Sequence, residues 1–64
     1  MLKVKIQGKE YKIEKVKSGI SLLKKLNLIP ECCILLKNGK IVDLEERFEE
    51  GDEIEIIVFG WENL

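Results

Sequence analysis

The sequence predicts a small α+β domain: a mixed sheet of four to five strands with one short helix packed on one face. Three observations carry this reading. Apolar and polar residues alternate near both ends of the chain, over Leu2 to Ile6 and over Glu53 to Phe59, as half-buried strands require. A short leucine cluster at helical spacing, Ile20, Leu22, Leu23 and Leu26, lies between them. Asn38-Gly39, flanked by apolar residues, marks a two-residue hairpin.

The elements follow in order. Leu2, Val4 and Ile6 face one side of the first strand, and Lys3 and Lys5 face the other. Gln7-Gly8-Lys9-Glu10 reads as a turn, with Gly8 free to take positive φ. The stretch from Glu10 to Val16 alternates around Tyr11 and Ile13 and forms the second strand of a hairpin. Ser18 or Ser21 caps the helix that follows. Lys24 and Lys25 lie in its last turn, where cations suit the helix dipole, and the helix ends before Pro30.

Cys32 to Leu36 is continuously apolar and reads as a third strand. A type I′ turn at Asn38-Gly39 pairs Leu36 with Ile41 and Leu35 with Val42. Asp43 to Phe48 reads as a connector with room for one helical turn, and Glu49-Glu50-Gly51-Asp52 as a tight turn. In the last strand Ile54, Ile56 and Val58 point inward, while Glu55, Ile57 and Phe59 point outward. The economical assembly makes the first and last strands central and parallel, with Lys3 and Lys5 near Glu55 on the outer face. The chain divides into a domain over 1–59 and a tail over 60–64.

Composition bounds the function. The chain has 64 residues, 45% of them hydrophobic, enough for one domain with a thin core and too few for a deep cleft. Charged residues are 36% of the chain with a net charge of −1, a balance unsuited to nucleic acid. No apolar run reaches the roughly 20 residues of a membrane span, and the N-terminus has no signal-peptide pattern, so the expected location is cytoplasmic. The adjacent Cys32 and Cys33 read as reduced thiols. The absence of His and Ala, with Lys, Glu and Ile abundant, fits a thermophile or a biased genome composition.

With these elements in place, the chain resembles the ThiS/MoaD sulfur-carrier family, a ubiquitin-like β-grasp family, over its whole length. Four stretches carry the resemblance: Leu2-Lys-Val-Lys-Ile6; Leu22-Leu-Lys-Lys-Leu26 leading to Pro30-Glu31; Leu35-Leu-Lys-Asn-Gly-Lys-Ile-Val42; and Glu50-Gly-Asp-Glu-Ile-Glu-Ile-Ile57. The resemblance implies a β-grasp fold and a role in thiamine or molybdenum or tungsten pterin (molybdopterin) biosynthesis. It also implies docking to an adenylating enzyme or an acceptor synthase, which performs the chemistry. Members end in Gly-Gly, which lets the terminal carboxylate thread a narrow site. Here the corresponding positions are Glu62 and Asn63, with Leu64 beyond, and the tail's one glycine is Gly60.

The candidate site residues follow from facing. Leu35 and Val42 inward place Cys32, Ile34, Leu36 and Ile41 outward, and Ile57, Phe59 and Trp61 extend that side. A contiguous apolar patch of this kind marks protein–protein interaction or self-association, with Trp61 the best anchor, unless the tail folds back with Trp61 as a lid. The tail, Gly60, Trp61, Glu62, Asn63 and Leu64, is either a reactive carboxylate or an inert terminus. Cys32 and Cys33 read as apolar strand residues, since neither a second cysteine pair nor a histidine is present to complete a zinc site. Glu45, Glu46, Glu49, Glu50, Asp52 and Glu53 read as a solvated turn and connector. With no nucleophile–base pair and no phosphate-binding loop, the expectation is a binding protein with no catalytic residues, cofactor or metal. Two functions stay open: a sulfur carrier, and a non-conjugating β-grasp adaptor or self-associating module that has lost the carrier tail.

Overall fold

The structure is a computed structural model that describes residues 1–59. Five strands and one α-helix follow in the order β1 (Leu2–Ile6), β2 (Lys9–Ile13), α1 (Gly19–Leu26), β3 (Cys33–Lys37), β4 (Lys40–Val42) and β5 (Glu53–Val58), with a 3₁₀ turn at Pro30–Cys32 before β3. The strands form one sheet in the order β2-β1-β5-β3-β4. The central pair, β1 and β5, is parallel, and the other neighbours are antiparallel.

Two type I′ turns fix the register. Gln7 and Gly8 both have positive φ, 49° and 85°, and so do Asn38 and Gly39, at 52° and 86°. Backbone of this hand matches strand twist, so each turn closes its hairpin in two residues. The first turn is therefore shorter than the sequence pattern indicates: β2 resumes at Lys9, opposite Ile6. It also ends early, at Ile13, and Lys15 takes a φ of 64°, which the alternation does not reveal.

Helix α1 starts where the sequence places it. The Ser18 hydroxyl accepts the Ser21 N–H at 3.3 Å, and Asn27 closes the helix in the left-handed region. Its inner face contributes Leu22 and Leu23, both fully buried, to a core completed by Leu2, Val4, Ile13, Leu35, Ile54 and Ile56. Val16 and Phe48 are also buried there. The segment from Asp43 to Phe48 holds a β-turn, closed by the Glu46 N–H on the Asp43 carbonyl at 3.0 Å, in place of a helical turn. Its backbone runs along the start of α1: Phe48 N–H donates to the Lys17 carbonyl at 2.8 Å and Ile20 N–H to the Leu44 carbonyl at 2.8 Å. Gly19 is needed at this crossing. A Cβ there would lie 2.5 Å from Leu35 Cδ2 and 2.6 Å from the Leu44 carbonyl oxygen.

A polar network ties the second hairpin to β5. The Asn38 backbone N–H donates to the Glu53 carbonyl at 2.7 Å, and its side-chain oxygen accepts the Glu53 N–H at 2.9 Å. Asn38 Nδ2 donates to Asp52 Oδ1 at 3.1 Å, while Asp52 Oδ2 accepts the Glu49 N–H at 2.8 Å. These bonds, first that from Glu49 and then that from Asn38, hold the Asp52 carboxyl below its ordinary range.

Candidate functional site: the outer face of the sheet

Residues directly opposite on neighbouring strands share a face, so the register sorts the outer surface into rows. One row reads Glu10, Lys5, Glu55, Leu36, Ile41 across all five strands. The next row toward the start of β1 reads Lys12, Lys3, Glu53. In the opposite direction Ile57 lies against Ile34. Phe59 follows by alternation, because its N–H donates to the Cys32 carbonyl at 2.9 Å and carries the ladder one residue past β5.

The outer face thus has two halves. Over β2, β1 and the start of β5 every outward side chain is charged: Glu10, Lys12, Lys3, Lys5, Glu53 and Glu55. Over β3, β4 and the end of β5 the outward side chains are Ile34, Leu36, Ile41, Ile57 and Phe59. Ile41 is 74% exposed, Phe59 49% and Ile57 43%, while Ile34 and Leu36 are half-buried between them. Together they leave on the order of 300–400 Å² of apolar surface open, the size of the largest patch on a typical monomer. A standard interface buries about 800 Å² per partner, so this patch forms the centre of a contact and not the whole of one.

Five of the sequence-derived candidates fall within the described residues. Ile34, Leu36, Ile41, Ile57 and Phe59 meet on one surface. Trp61 and the rest of the tail, Gly60, Glu62, Asn63 and Leu64, lie outside the described residues. Lys5 stands opposite Glu55 as expected, although the ion pairs among the described residues are elsewhere. Cys32 corrects an expectation: it ends the 3₁₀ turn, and β3 begins at Cys33. Pro30 at the start of that turn and the Cys32 N–H on the Ile29 carbonyl at 3.0 Å explain the delay. Cys33 packs against the core, and burial, followed by the neighbouring Cys32, pushes its thiol up, away from the reactive thiolate.

Of the six residues of the acidic stretch, Glu45, Glu49 and Glu53 are exposed to solvent, and the other three are engaged in structure. Glu46 accepts from Lys37 Nζ at 2.7 Å, Glu50 pairs with the Met1 amino group, and Asp52 closes its turn. Lys37 lies on the inner side of the sheet's edge and also donates to the Arg47 carbonyl at 3.0 Å. Its bond to Glu46 keeps its ammonium form favoured.

The start of α1 offers nothing to an anion. Gly19 N–H donates to the Glu46 carbonyl at 3.2 Å, Ile20 N–H to Leu44, and Ser21 N–H to Ser18 Oγ. Among the described residues no three His, Cys, Asp or Glu side chains gather in a metal-binding group. No helix among them is long and apolar enough to cross a membrane.

Sequence reading missed the charged half as a unit. The two-residue turn at Gln7-Gly8 was the available signal, because it alone sets Glu10 beside Lys5 and Lys12 beside Lys3. Comparison with known proteins finds no family model that matches the chain and no curated protein similar to it.

Proposed function

We propose that the chain is a ubiquitin-like β-grasp domain of the ThiS/MoaD sulfur-carrier kind, and that it docks its outer apolar half on a partner enzyme. The partner is the adenylating enzyme or the acceptor synthase of thiamine or molybdenum or tungsten pterin biosynthesis, in the cytoplasm, and all catalysis belongs to it. The observation that carries the reading is the exposed cluster of Ile41, Ile57 and Phe59 around Leu36 and Ile34, beside a half-face that is wholly charged. A fold of this size gains nothing from leaving such residues in water. The strand order β2-β1-β5-β3-β4, with a parallel central pair and one helix, supports the β-grasp assignment. The area supports a joint contact: a face too small for a full interface suits a partner that also grips the chain beyond Phe59.

A second reading rests on the sequence. No Gly-Gly pair occurs in it, and Glu62 and Asn63 stand where the carrier family has one. A non-conjugating adaptor would keep the docking half and have no use for that pair.

Titration calorimetry with the host's adenylating enzyme tests both. The carrier reading requires binding, and Phe59→Lys weakens it by about thirtyfold or more, as loss of an aromatic anchor does. Unfolding of that variant stays within about 0.5 kcal/mol of the parent, because Phe59 is a surface residue. No binding by the parent chain removes the carrier reading and leaves the adaptor. A large fall in stability would put Phe59 in the core and remove both.

A further inference from the structure

Among the described residues strand β2 is an edge of the sheet with no strand on its outer side, and its residues Lys9 to Lys12 are all exposed. It contains no proline; its protection against indiscriminate pairing is charge, from Lys9, Glu10 and Lys12, so only a strand that matches those charges pairs with it. Its backbone polarity is set by the hairpin. The Gln7-Gly8 turn is closed by a hydrogen bond between Ile6 and Lys9, so Lys9, Tyr11 and Ile13 direct their N–H and C=O groups at β1. Glu10 and Lys12 therefore direct theirs away from the sheet.

The outer-face row through Lys12 is also incomplete. Lys12 stands directly opposite Lys3, a like-charge pair that is unfavourable at this spacing, whereas the row through Glu10 alternates as Glu10, Lys5, Glu55. What row and edge lack in common is an extended backbone carrying a carboxylate beside Lys12.

We infer that a second copy of this chain supplies it: β2 pairs antiparallel with β2 of the copy, centred on Tyr11, joining two five-stranded sheets into one. The register is selected by charge. Glu10 against Glu10, or Lys12 against Lys12, places like charges face to face. Centring on Tyr11 places Glu10 opposite Lys12 twice, and these are the residues whose outward N–H and C=O groups can exchange hydrogen bonds. The row then reads Glu53, Lys3, Lys12, followed by Glu10, Lys5 and Glu55 of the copy, so the Lys3–Lys12 repulsion is offset. The two Tyr11 rings, each 43% exposed in the single chain, meet across the other face. The apolar halves lie toward the far edges of the joined sheet and stay free for the docking proposed above.

Analytical ultracentrifugation of the full chain at low salt, from micromolar to millimolar concentration, tests this. The parent chain dimerises. Glu10→Lys and Lys12→Glu each weaken the dimer by about tenfold, since each turns two attractive contacts repulsive. The double exchange, Glu10→Lys with Lys12→Glu, restores it, because opposite charges meet again in the same register. In the parent, amide exchange at Glu10 and Lys12 slows as concentration rises. A chain monomeric at millimolar concentration overturns the inference, as does a dimer indifferent to the single exchanges or not restored by the double one. A dimer lost on Ile41→Lys instead places the contact on the apolar half and overturns it equally.

Discussion

Ile56 and Ile57 are neighbours in β5, identical in composition, and opposite in fate. Ile56 is 1% exposed beneath the helix, and Ile57 is 43% exposed on the other side. Leu35 and Leu36 repeat the contrast one strand away: Leu35 is fully buried against Ile56, and Leu36 lies half-buried against Glu55 and Ile41. The inner face is closed by α1 from above and by the segment from Asp43 to Phe48 at one end. The outer apolar half has no such cover among the described residues. Hydrophobicity therefore serves two ends in one strand. On the inner face it holds the fold, and on the outer face it is available to a partner.

That contrast can be broken by single substitutions. The largest effect belongs to the inner face. Ile56→Ala removes buried methyl groups and should destabilise by about 2–5 kcal/mol, comparable to the roughly 3–10 kcal/mol that a domain of this size has in all. Ile57→Ala should change stability by about 0.5 kcal/mol or less. Chemical denaturation of both variants measures the difference, and equal losses would mean that the outer half is core after all.

The lid of the inner face gives the next effect. Gly19→Ala drives a methyl group into Leu35 Cδ2 and the Leu44 carbonyl oxygen, so α1 must lift or the Leu44 backbone must shift. Overpacking of this kind costs about 1–3 kcal/mol, and a thermal melt unchanged from the parent would show that the crossing is looser than described.

The smallest effect lies between the faces, in the hairpin network. Asp52 has its pKa lowered by the Glu49 N–H and Asn38. A depressed carboxyl contributes stability above its unfolded pKa and loses it as pH falls through the folded one. Asp52→Asn should therefore lower the melting temperature by a few degrees at pH 7, and the deficit should vanish in acid, below both pKa values. A deficit independent of pH would assign the effect to the turn backbone and not to the charge.

Much of this arrangement was legible in the residues. Period-two alternation assigned Val4, Ile54 and Ile56 to one face and Lys3, Lys5 and Glu55 to the other, and the structure agrees. Asn38-Gly39 gave the pairing of Leu36 with Ile41, because a two-residue turn permits one register. The five outward apolar residues were placed by the same two signals. What escaped depends on tertiary contact. Phe48, in a stretch of Glu and Arg, shows no period, yet it is buried because its backbone is held beside Lys17. Cys32 continues an apolar run, but Pro30 turns the chain before the sheet begins. Lys37 points inward at the end of β3, satisfied by Glu46 and Arg47 from a segment that alternation cannot position.

The most direct test of the proposed docking sets one substitution from each half of the outer face side by side: Phe59→Lys from the apolar half and Lys3→Glu from the charged half, each titrated against the adenylating enzyme proposed as the partner. Phe59→Lys is expected to lose binding while Lys3→Glu retains it, with both chains folded as the parent is. Binding that survives Phe59→Lys, or that fails only with Lys3→Glu, would contradict the proposed docking.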